Sequence, residues 1–335
     1  HYLGLKIVVV PMDADYRMSM EHVRANLTSD TIMLVGSAPN YSHGVIDPIE
    51  ELAALAKERG ILCHVDACVG GFYLPFARLA GEEIVPFDFS VEGVTSMSCD
   101  LHKYGYTAKG ASVILHRDAE LRKYQIFTCS DWTGYSIINP TVLSSKSGGT
   151  LAGAWAALHH LGVEGYANMA RTTQAATRQF VEGIAKIEAL EVMGKPVMNL
   201  VAVRSRKAEV SVFVLSDMMK KRGWYIQLQL ASERSPEALH LNINHANAVW
   251  VGDLLADLAD AVRTLEAAAE TLPTFPMEML TEMLGGGFDA AASAFGMDEG
   301  GALPEDFAPV NNVLNQLPSE WRNQVLTEFV NRMYV

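Results

Sequence analysis

Five short apolar runs in the first 120 residues alternate with stretches of helical periodicity. Runs that are apolar along their whole length and are separated by helices are typical of a mostly parallel sheet covered on both faces. We therefore predict an α/β fold with such a sheet in its N-terminal part. The predicted strands lie at residues 5–10, 31–38, 61–67, 93–99 and 111–116.

The best-marked helix is predicted to begin at Asp47. The letters D-P-I-E provide an aspartate at the N-cap, a proline at the first helical position and Glu50 to complete a capping box, and Gly60 marks the end. This helix should lie on the sheet and lead into the strand that carries His64 and Asp66.

The pattern changes further along the chain. Long helices give way, from Val201 onward, to short apolar runs interleaved with helices; one of these runs is V-S-V-F-V-L-S at 210–216. A last amphipathic helix is expected near 318–333. We predict four segments: part of a large domain at 1–150, connecting helices at 151–195, a small C-terminal α/β domain at 196–272, and an acidic, glycine-containing tail with a terminal helix at 273–335.

Composition narrows the class of protein. The chain has 335 residues, 49% hydrophobic content and a net charge of −13, with ten acidic residues and no Lys or Arg between Arg263 and Arg322. Such acidity disfavours nucleic acid as a partner, and no apolar run approaches the length of a transmembrane segment. We expect a soluble, cytoplasmic protein with reduced cysteines. Because the chain opens on His1 without Met, export or targeting by upstream sequence stays open.

Candidate chemistry begins at Lys103, which follows Asp100 and His102 just after an apolar run. Desolvation at the end of a buried strand should lower the pKa of this lysine and make its amine a nucleophile suited to a Schiff base. A solvated surface lysine is the commoner alternative. For Asp100 we expect a structural role in the turn that aims the lysine.

A second group lies 37 residues before Lys103, where His64 and Asp66 end a predicted strand. The carboxyl ends of parallel strands can face one pocket. An aspartate there can keep a pyridine nitrogen protonated while a lysine holds an aldehyde, which points to pyridoxal phosphate. A structural role for Asp66 is the alternative. A metal site built from His64, Asp66, Cys68 and His102 is less favoured, since no tight helical His pair accompanies them.

Longer motifs carry a family resemblance. They are H-G-V-I-D-P at 43–48, H-V-D-A-C-V-G-G at 64–71, the stretch 87–118 and G-G-T-L-A-G-A-W at 148–155. From about residue 1 to about 270 the chain resembles the sphingosine-1-phosphate lyases, a branch of the pyridoxal-phosphate-dependent group II decarboxylase superfamily with a fold-type-I, aminotransferase-like architecture. The resemblance implies retro-aldol cleavage of the C2–C3 bond of a phosphorylated sphingoid base, giving a long-chain aldehyde and phosphoethanolamine.

The resemblance also implies roles for individual residues at the cofactor. Lys103 would be the Schiff-base lysine, and Asp66 would pair with the pyridine nitrogen. His102 would lie near the cofactor phosphate, Ala67 would pack against the ring, and His64 would belong to the same cofactor-binding set.

Three more residues are implied at the substrate and at the subunit boundary. Lys109 would grip the substrate phosphate, as a cation suits a dianionic headgroup. Tyr41 would lie near the cofactor's phenolic oxygen, contact the substrate and serve in proton transfer. Gly148 would reach the cofactor phosphate of the neighbouring subunit of a homodimer. A solvent-facing lysine and a structural tyrosine are the alternatives for the first two.

Two departures from the family pattern stand out. Residues 144–149 read S-S-K-S-G-G where the lyases have G-S-R-P-G-G, which exchanges a planar, bidentate cation for a point charge. The phosphate-binding loop and the ring-stacking histidine expected upstream are not among the 335 residues. We therefore expect that the N-terminal part of the large domain is missing, or that the chain is a non-catalytic relative. An amino-acid decarboxylase on the same cofactor is the other alternative.

Overall fold

The computed structural model describes residues 3–143, 145–280 and 304–333. The chain divides into two compact units, each of which is described by itself. Unit 1 comprises His1–Thr177, Gly194–Leu200 and Ile243–His245, and unit 2 comprises Arg178–Met193, Val201–Asn242 and Ala246–Val335.

Unit 1 contains, in its described residues, a four-stranded sheet, a two-stranded hairpin and the helices around them. Its strands are β1 Met33–Ser37, β2 Leu62–Asp66, β3 Ser96–Cys99, β4 Val113–His116, β5 Phe127–Cys129 and β6 Ile137–Asn139. Its helices are α1 Met20–Asn26, α2 Ile49–Arg59, α3 Leu74–Leu79, α4 Ala119–Arg122 and most of α5 Gly148–Ile184, with a 3-10 turn at Lys123–Gln125.

The four-stranded sheet has the order β1-β2-β3-β4. β1, β2 and β3 run parallel to one another, and β4 is antiparallel to β3. The predicted α/β fold with a mostly parallel sheet is confirmed. Because neighbouring parallel strands point the same way, the carboxyl ends of β1, β2 and β3 lie along one edge of the sheet.

One face of this sheet carries the core of unit 1. Leu34, Cys63 and Val65 point into that core, where they pack with the apolar face of α2. Met33 and Val35 alternate with them on the opposite face and are 41% and 49% exposed. The expectation that both faces are covered is therefore wrong for the described residues.

The prediction of the first strand is also wrong. Residues 5–10 form no strand, and the side chains of Leu5 and Ile7 are exposed. A strand needs a neighbouring backbone to satisfy its N–H and C=O groups, and within the described residues this segment pairs with none. The other four apolar runs contain β1 to β4, each shorter than predicted.

Helix α2 begins at Ile49, two residues later than expected, and Asp47 does not cap it. The Asp47 carboxylate instead accepts hydrogen bonds from the backbone N–H groups of Met18 and Ser37, each at 2.8 Å. In this position the carboxylate accepts from two backbone N–H groups, which explains why it does not cap the helix. The predicted end is confirmed, since Gly60 closes α2 in the left-handed conformation.

Helix α5 joins two helical stretches that meet at Gly162, whose φ of 57° and ψ of −178° are not helical. Glycine permits this backbone conformation because it has no Cβ. Among the helices that the structure describes, none is both long enough and apolar enough to cross a membrane.

Unit 2 is a second α/β arrangement, as predicted, with a sheet in the order β7-β8-β10-β9. Its strands are β7 Leu190–Val192, β8 Leu200–Ser205, β9 Gln227–Gln229 and β10 Ala238–Asn242. Its helices are α6 Val212–Lys221, α7 Val251–Ala268, α8 Ala308–Gln316 and α9 Ser319–Met333, with a 3-10 turn at Ala248–Trp250.

Two predictions for this part of the chain have different outcomes. The apolar run at 210–216 is helical, not extended, because Ser211 accepts a hydrogen bond from the N–H of Phe213 and starts α6. The helix expected near 318–333 is confirmed as α9. The glycine-rich part of the predicted tail, residues 281–303, lies outside the described residues.

Candidate active site

The carboxyl ends of β2 and β3 bring two predicted site residues to one edge of the sheet. β2 ends at Asp66, and β3 ends at Cys99, immediately before the turn that carries Lys103. The two strands are adjacent and parallel, with Asp66 opposite Ser98. Residues 37 positions apart in sequence therefore emerge at neighbouring positions of the same sheet edge.

Asp66 is held as a carboxylate by its neighbours. Its Oδ1 atom accepts hydrogen bonds from the Cys68 N–H at 3.0 Å and from the Ser98 hydroxyl at 2.9 Å. Burial alone would raise the pKa of Asp66, but these hydrogen bonds and the nearby His64 outweigh it and lower the pKa. Asp66 is therefore ionised at neutral pH.

Cys68 lies between the two candidate residues. Asp66 and Lys103 both act on the pKa of its thiol, Asp66 raising it and Lys103 lowering it, so the sulfur lies near both groups. Burial is the main reason why the pKa of this thiol is raised. The sequence indicated Cys68 only as a possible metal ligand, although its place two residues after Asp66, where β2 ends, marks it as a site residue. In the described residues no group of three His, Cys, Asp or Glu side chains is positioned to hold a metal.

The charge state of Lys103 differs from the sequence-based expectation. Burial acts to lower the pKa of Lys103, but hydrogen bonds to Asp100 and Cys68 outweigh it, so the pKa is raised. The ammonium lies 2.9 Å from Asp100 Oδ2. The prediction of a lowered pKa is therefore wrong, because a counter-ion three residues away replaces the lost hydration.

Asp100 is itself anchored. The Ser112 hydroxyl donates to Asp100 Oδ1 at 2.5 Å, and His102 Nε2 lies 3.6 Å from Oδ2. The backbone of the turn adds two bonds, from the Lys103 N–H to the Asp100 carbonyl and from the Asp100 N–H to the Cys68 carbonyl, each at 3.2 Å. The carboxylate beside Lys103 is thus fixed from several directions.

The two histidines of the predicted site have different surroundings. His64 Nδ1 is hydrogen bonded to Ser96 at 2.8 Å, and burial lowers its pKa, so the ring is neutral at pH 7. His102 has a buried Nδ1 atom with no hydrogen-bond partner among the described residues. His64 is two residues before Asp66 on the same face of β2, and His102 lies in the lysine turn.

Tyr41 and Ala67 differ in their exposure to solvent. Tyr41 lies on the loop after β1 with its side chain 48% exposed. That loop starts next to the site, because the Ala38 N–H donates to the Asp66 carbonyl at 2.9 Å. Ala67 is fully buried in the core of unit 1.

The loop that follows Lys103 is packed against α5 at two places. Leu101 and Ala111 form a buried cluster with Ala154 from the first half of the helix. The Tyr166 hydroxyl, from the second half, donates to the Gly105 carbonyl at 2.7 Å. These contacts hold both ends of the loop on one helix.

Lys109 and Gly148 are not bonded to Asp66 or Lys103 in the described residues. Lys109 is exposed in the turn before β4, and no hydrogen bond or ion pair in the described residues joins it or Gly148 to that pair. The turn does lie beside the start of α5, since a Cβ on Gly110 would meet Thr150 Cγ2 at 3.6 Å. The structure therefore brings Lys109 close to the helix that Gly148 begins.

The family model "Pyridoxal-dependent decarboxylase conserved domain" matches residues 1–206. The chain belongs to this family. A second model, "Pyridoxal-dependent enzyme, C-terminal putative HTH domain", matches residues 256–332. The family's cofactor is pyridoxal phosphate.

Several of the similar proteins are sphingosine-1-phosphate lyases. The sphingosine-1-phosphate lyase of Arabidopsis thaliana is 44% identical over 266 residues, which are 79% of this chain and 48% of that protein. The structure of the Burkholderia pseudomallei sphingosine-1-phosphate lyase has a TM-score of 0.74 and 37% identity over 78% of this chain and 59% of that one. A Lactobacillus brevis glutamate decarboxylase shares the fold, with a TM-score of 0.70 at 22% identity over 82% of this chain and 64% of that one. The chain spans about half the length of the Arabidopsis relative.

The donor groups at the sheet edge suit the family's cofactor. An ionised Asp66 can hold the proton of a pyridinium nitrogen, and Lys103 offers an amine on the other side of Cys68. The buried, unpaired Nδ1 atom of His102 is a polar group for which a bound cofactor could provide the partner. The residues present therefore fit pyridoxal phosphate.

Proposed function

We propose that the protein containing this chain is a pyridoxal-phosphate-dependent lyase of sphingolipid breakdown. It would cleave the C2–C3 bond of a phosphorylated sphingoid base and release a long-chain aldehyde and phosphoethanolamine. The observation that carries the proposal is the place of Asp66 and Lys103 at the carboxyl ends of the adjacent parallel strands β2 and β3, in a chain that is 44% identical to a sphingosine-1-phosphate lyase.

Asp66 and Lys103 have complementary roles in this proposal. When bound, the cofactor supplies a ring that accepts the electron pair released as the carbon–carbon bond breaks. Asp66, ionised and fixed by Ser98 and Cys68, keeps the proton on the ring nitrogen. Lys103 would hold the cofactor covalently through its ε-amine, the position that the amine of the substrate would take in turn.

The remaining predicted residues bind phosphate and move a proton. His102 would donate to the cofactor phosphate, and His64 and Ala67 would complete the cofactor-binding set. Lys109 would bind the phosphate of the substrate as a point charge. Tyr41 would lie near the cofactor's phenolic oxygen, contact the substrate and serve in proton transfer.

We propose a homodimer with the active site at the subunit interface. The β5–β6 hairpin precedes Gly148 and exposes apolar side chains, with Phe127 59% and Ile138 72% exposed. A two-stranded hairpin is marginally stable by itself, and a large exposed apolar surface marks an interaction site. A second copy would cover this hairpin and bring its Gly148 to the cofactor phosphate.

The test is turnover by the full gene product that contains these 335 residues. Incubated with pyridoxal phosphate and sphingosine 1-phosphate, it should release long-chain aldehyde, measured by mass spectrometry. Lys103→Ala should abolish both the aldehyde and the absorbance of the covalently held cofactor, because Lys103 supplies the amine that would hold the cofactor. Lys195→Ala, an exposed lysine of the same unit, should retain both.

Other outcomes select among the alternatives. Carbon dioxide released from one member of an amino-acid panel, with no aldehyde from the lipid, would identify an amino-acid decarboxylase on the same cofactor. A colourless protein that takes up no pyridoxal phosphate would identify a non-catalytic relative. Normal turnover by Lys103→Ala would remove Lys103 from the site.

A further inference from the structure

The carboxylate of Asp100 contacts the amine of Lys103 directly, which a residue that only forms the turn would not do. Its carboxylate lies 2.9 Å from the lysine Nζ atom, and the pair is partly shielded, with Asp100 12% and Lys103 32% exposed in their side chains. A purely structural aspartate would bond backbone groups of its own turn. Here the side chain bonds the one amine that the proposed function requires.

The carboxylate is also held in place independently of the lysine. Ser112, just before β4, donates to its other oxygen at 2.5 Å, and His102 Nε2 lies 3.6 Å away. Ionised Asp100 is favoured, since its contacts with Ser112 and Lys103 outweigh burial and lower its pKa. Asp100 is therefore a charged partner of Lys103.

The groups that face the Lys103 ammonium come from two elements. Asp100 approaches from its own turn, and Cys68 approaches from the loop after β2. Asp100 is the charged group in direct contact with the lysine, so its removal should have the largest effect.

We propose that Asp100 is a positioning residue that holds Lys103 as an ammonium ion in the cofactor-free protein, and that opening of this ion pair controls cofactor loading. The inference rests on the proposed role of Lys103. To attach the cofactor, Lys103 Nζ gives up a proton, bonds to the aldehyde carbon of pyridoxal phosphate and forms a C=N bond as water leaves. An ammonium paired with Asp100 cannot take that step, because its lone pair is occupied by the proton.

The test measures loading of the cofactor-free full chain between pH 6 and pH 9. Pyridoxal phosphate is added, samples are reduced with borohydride so that the C=N bond becomes a stable secondary amine, and modified Lys103 is counted by peptide mass spectrometry. In Asp100→Asn, burial and the loss of the counter-ion both favour the neutral amine. We expect roughly tenfold faster loading at pH 7, since each unit of pKa changes the neutral fraction tenfold. The pH profile should move to lower pH.

Two further variants separate charge from turn structure. Ser112→Ala removes a hydrogen bond to Asp100 but keeps its charge, so its pH profile should match that of the unmodified chain. Asp118→Asn removes a charge at the N-cap of α4, where asparagine also caps well, and should not change loading. If a loosened turn, and not the lost charge, speeds loading, the pH profile of Ser112→Ala should resemble that of Asp100→Asn. That result would overturn the proposal.

A second reagent measures the amine without the cofactor. Competitive acetylation by acetic anhydride across the same pH range follows the fraction of Lys103 that is neutral. In Asp100→Asn, Lys103 should react at lower pH than in the unmodified chain. If the reduced label of the unmodified chain falls on a residue other than Lys103, the proposed function and this inference both fail. If it falls on Lys103 but Asp100→Asn loads no faster at any pH, the inference alone fails.

Discussion

At the scale of single residues, the buried carboxylate of Asp47 shows how one side chain can join separate segments. It is 8% exposed and bonds the backbone of Met18, before α1, and of Ser37, at the end of β1. Burial is the largest influence on this group and raises the pKa of Asp47 despite those bonds. The native state therefore binds this proton more tightly than the unfolded chain, and the contribution of Asp47 to stability falls as pH rises through the raised pKa.

Asp47→Ala should destabilise the protein by about 2 kcal/mol, because two backbone donors lose their acceptor while the penalty of burying a charge is relieved. Urea unfolding at pH 7 measures the change. Asp47→Asn keeps an acceptor and should lose less. Asp15→Ala removes an aspartate whose side chain is 66% exposed and should change stability by less than about 0.5 kcal/mol. An Asp47→Ala protein as stable as Asp15→Ala would contradict this account.

The chemistry of the site was only partly predictable from single residues. Asp66 and Lys103 follow from residue type and from their places at strand ends, because parallel strands align their carboxyl ends. The ion pair of Lys103 with Asp100 does not follow, since it depends on the turn that lets residues three apart meet outside a helix. Burial predicted the wrong direction for the pKa of Lys103 because the sequence does not show which counter-ion accompanies the lysine.

At the scale of elements, the end of α2 depends on one backbone conformation. Gly60 has φ +65° and ψ 29°, and its N–H donates to the carbonyls of Ala56 and Lys57. A Cβ at Gly60 would meet nothing within 4 Å, so only the backbone conformation opposes a side chain there. Gly153, in the first half of α5, also has open space around it, but its φ is not positive.

These two glycines make a matched pair. Gly60→Ala should destabilise the protein by about 1 kcal/mol, because an L-residue is disfavoured in the left-handed region. Gly153→Ala should stabilise it by up to about 1 kcal/mol, because alanine loses less conformational freedom in a helix. Thermal and urea unfolding of both variants check the opposite signs, and equal effects would show that the cap does not control α2.

Apolar runs predicted strands correctly only where a neighbouring strand exists. β1 to β4 lie within the predicted runs, but residues 5–10 have no partner in the described residues and are not a strand. The run at 210–216 is rich in β-branched residues, yet Val212, Leu215 and Met219 repeat at helical spacing and are buried on one face of α6. Tertiary burial overrides local propensity there.

At the scale of the whole molecule, the proposed dimer depends on the exposed β5–β6 hairpin. Ile138→Glu places a charge where a second copy would bury an apolar side chain, so dimers should dissociate at least tenfold more readily. Sedimentation over a concentration series measures this. Leu79→Glu, on an exposed apolar residue at the end of α3, is the control and should keep the dimer. A dimer unaffected by Ile138→Glu would place the interface elsewhere.

The bend in α5 at Gly162 has a mechanical consequence for the lysine. The helix touches the Lys103 loop before the bend through Ala154 and after it through Tyr166. These contacts span the bend, so a change of its angle must stretch one of them or carry the loop along. The angle between the two halves of α5 and the position of Lys103 are therefore coupled, and a force on either half of the helix is transmitted to the amine.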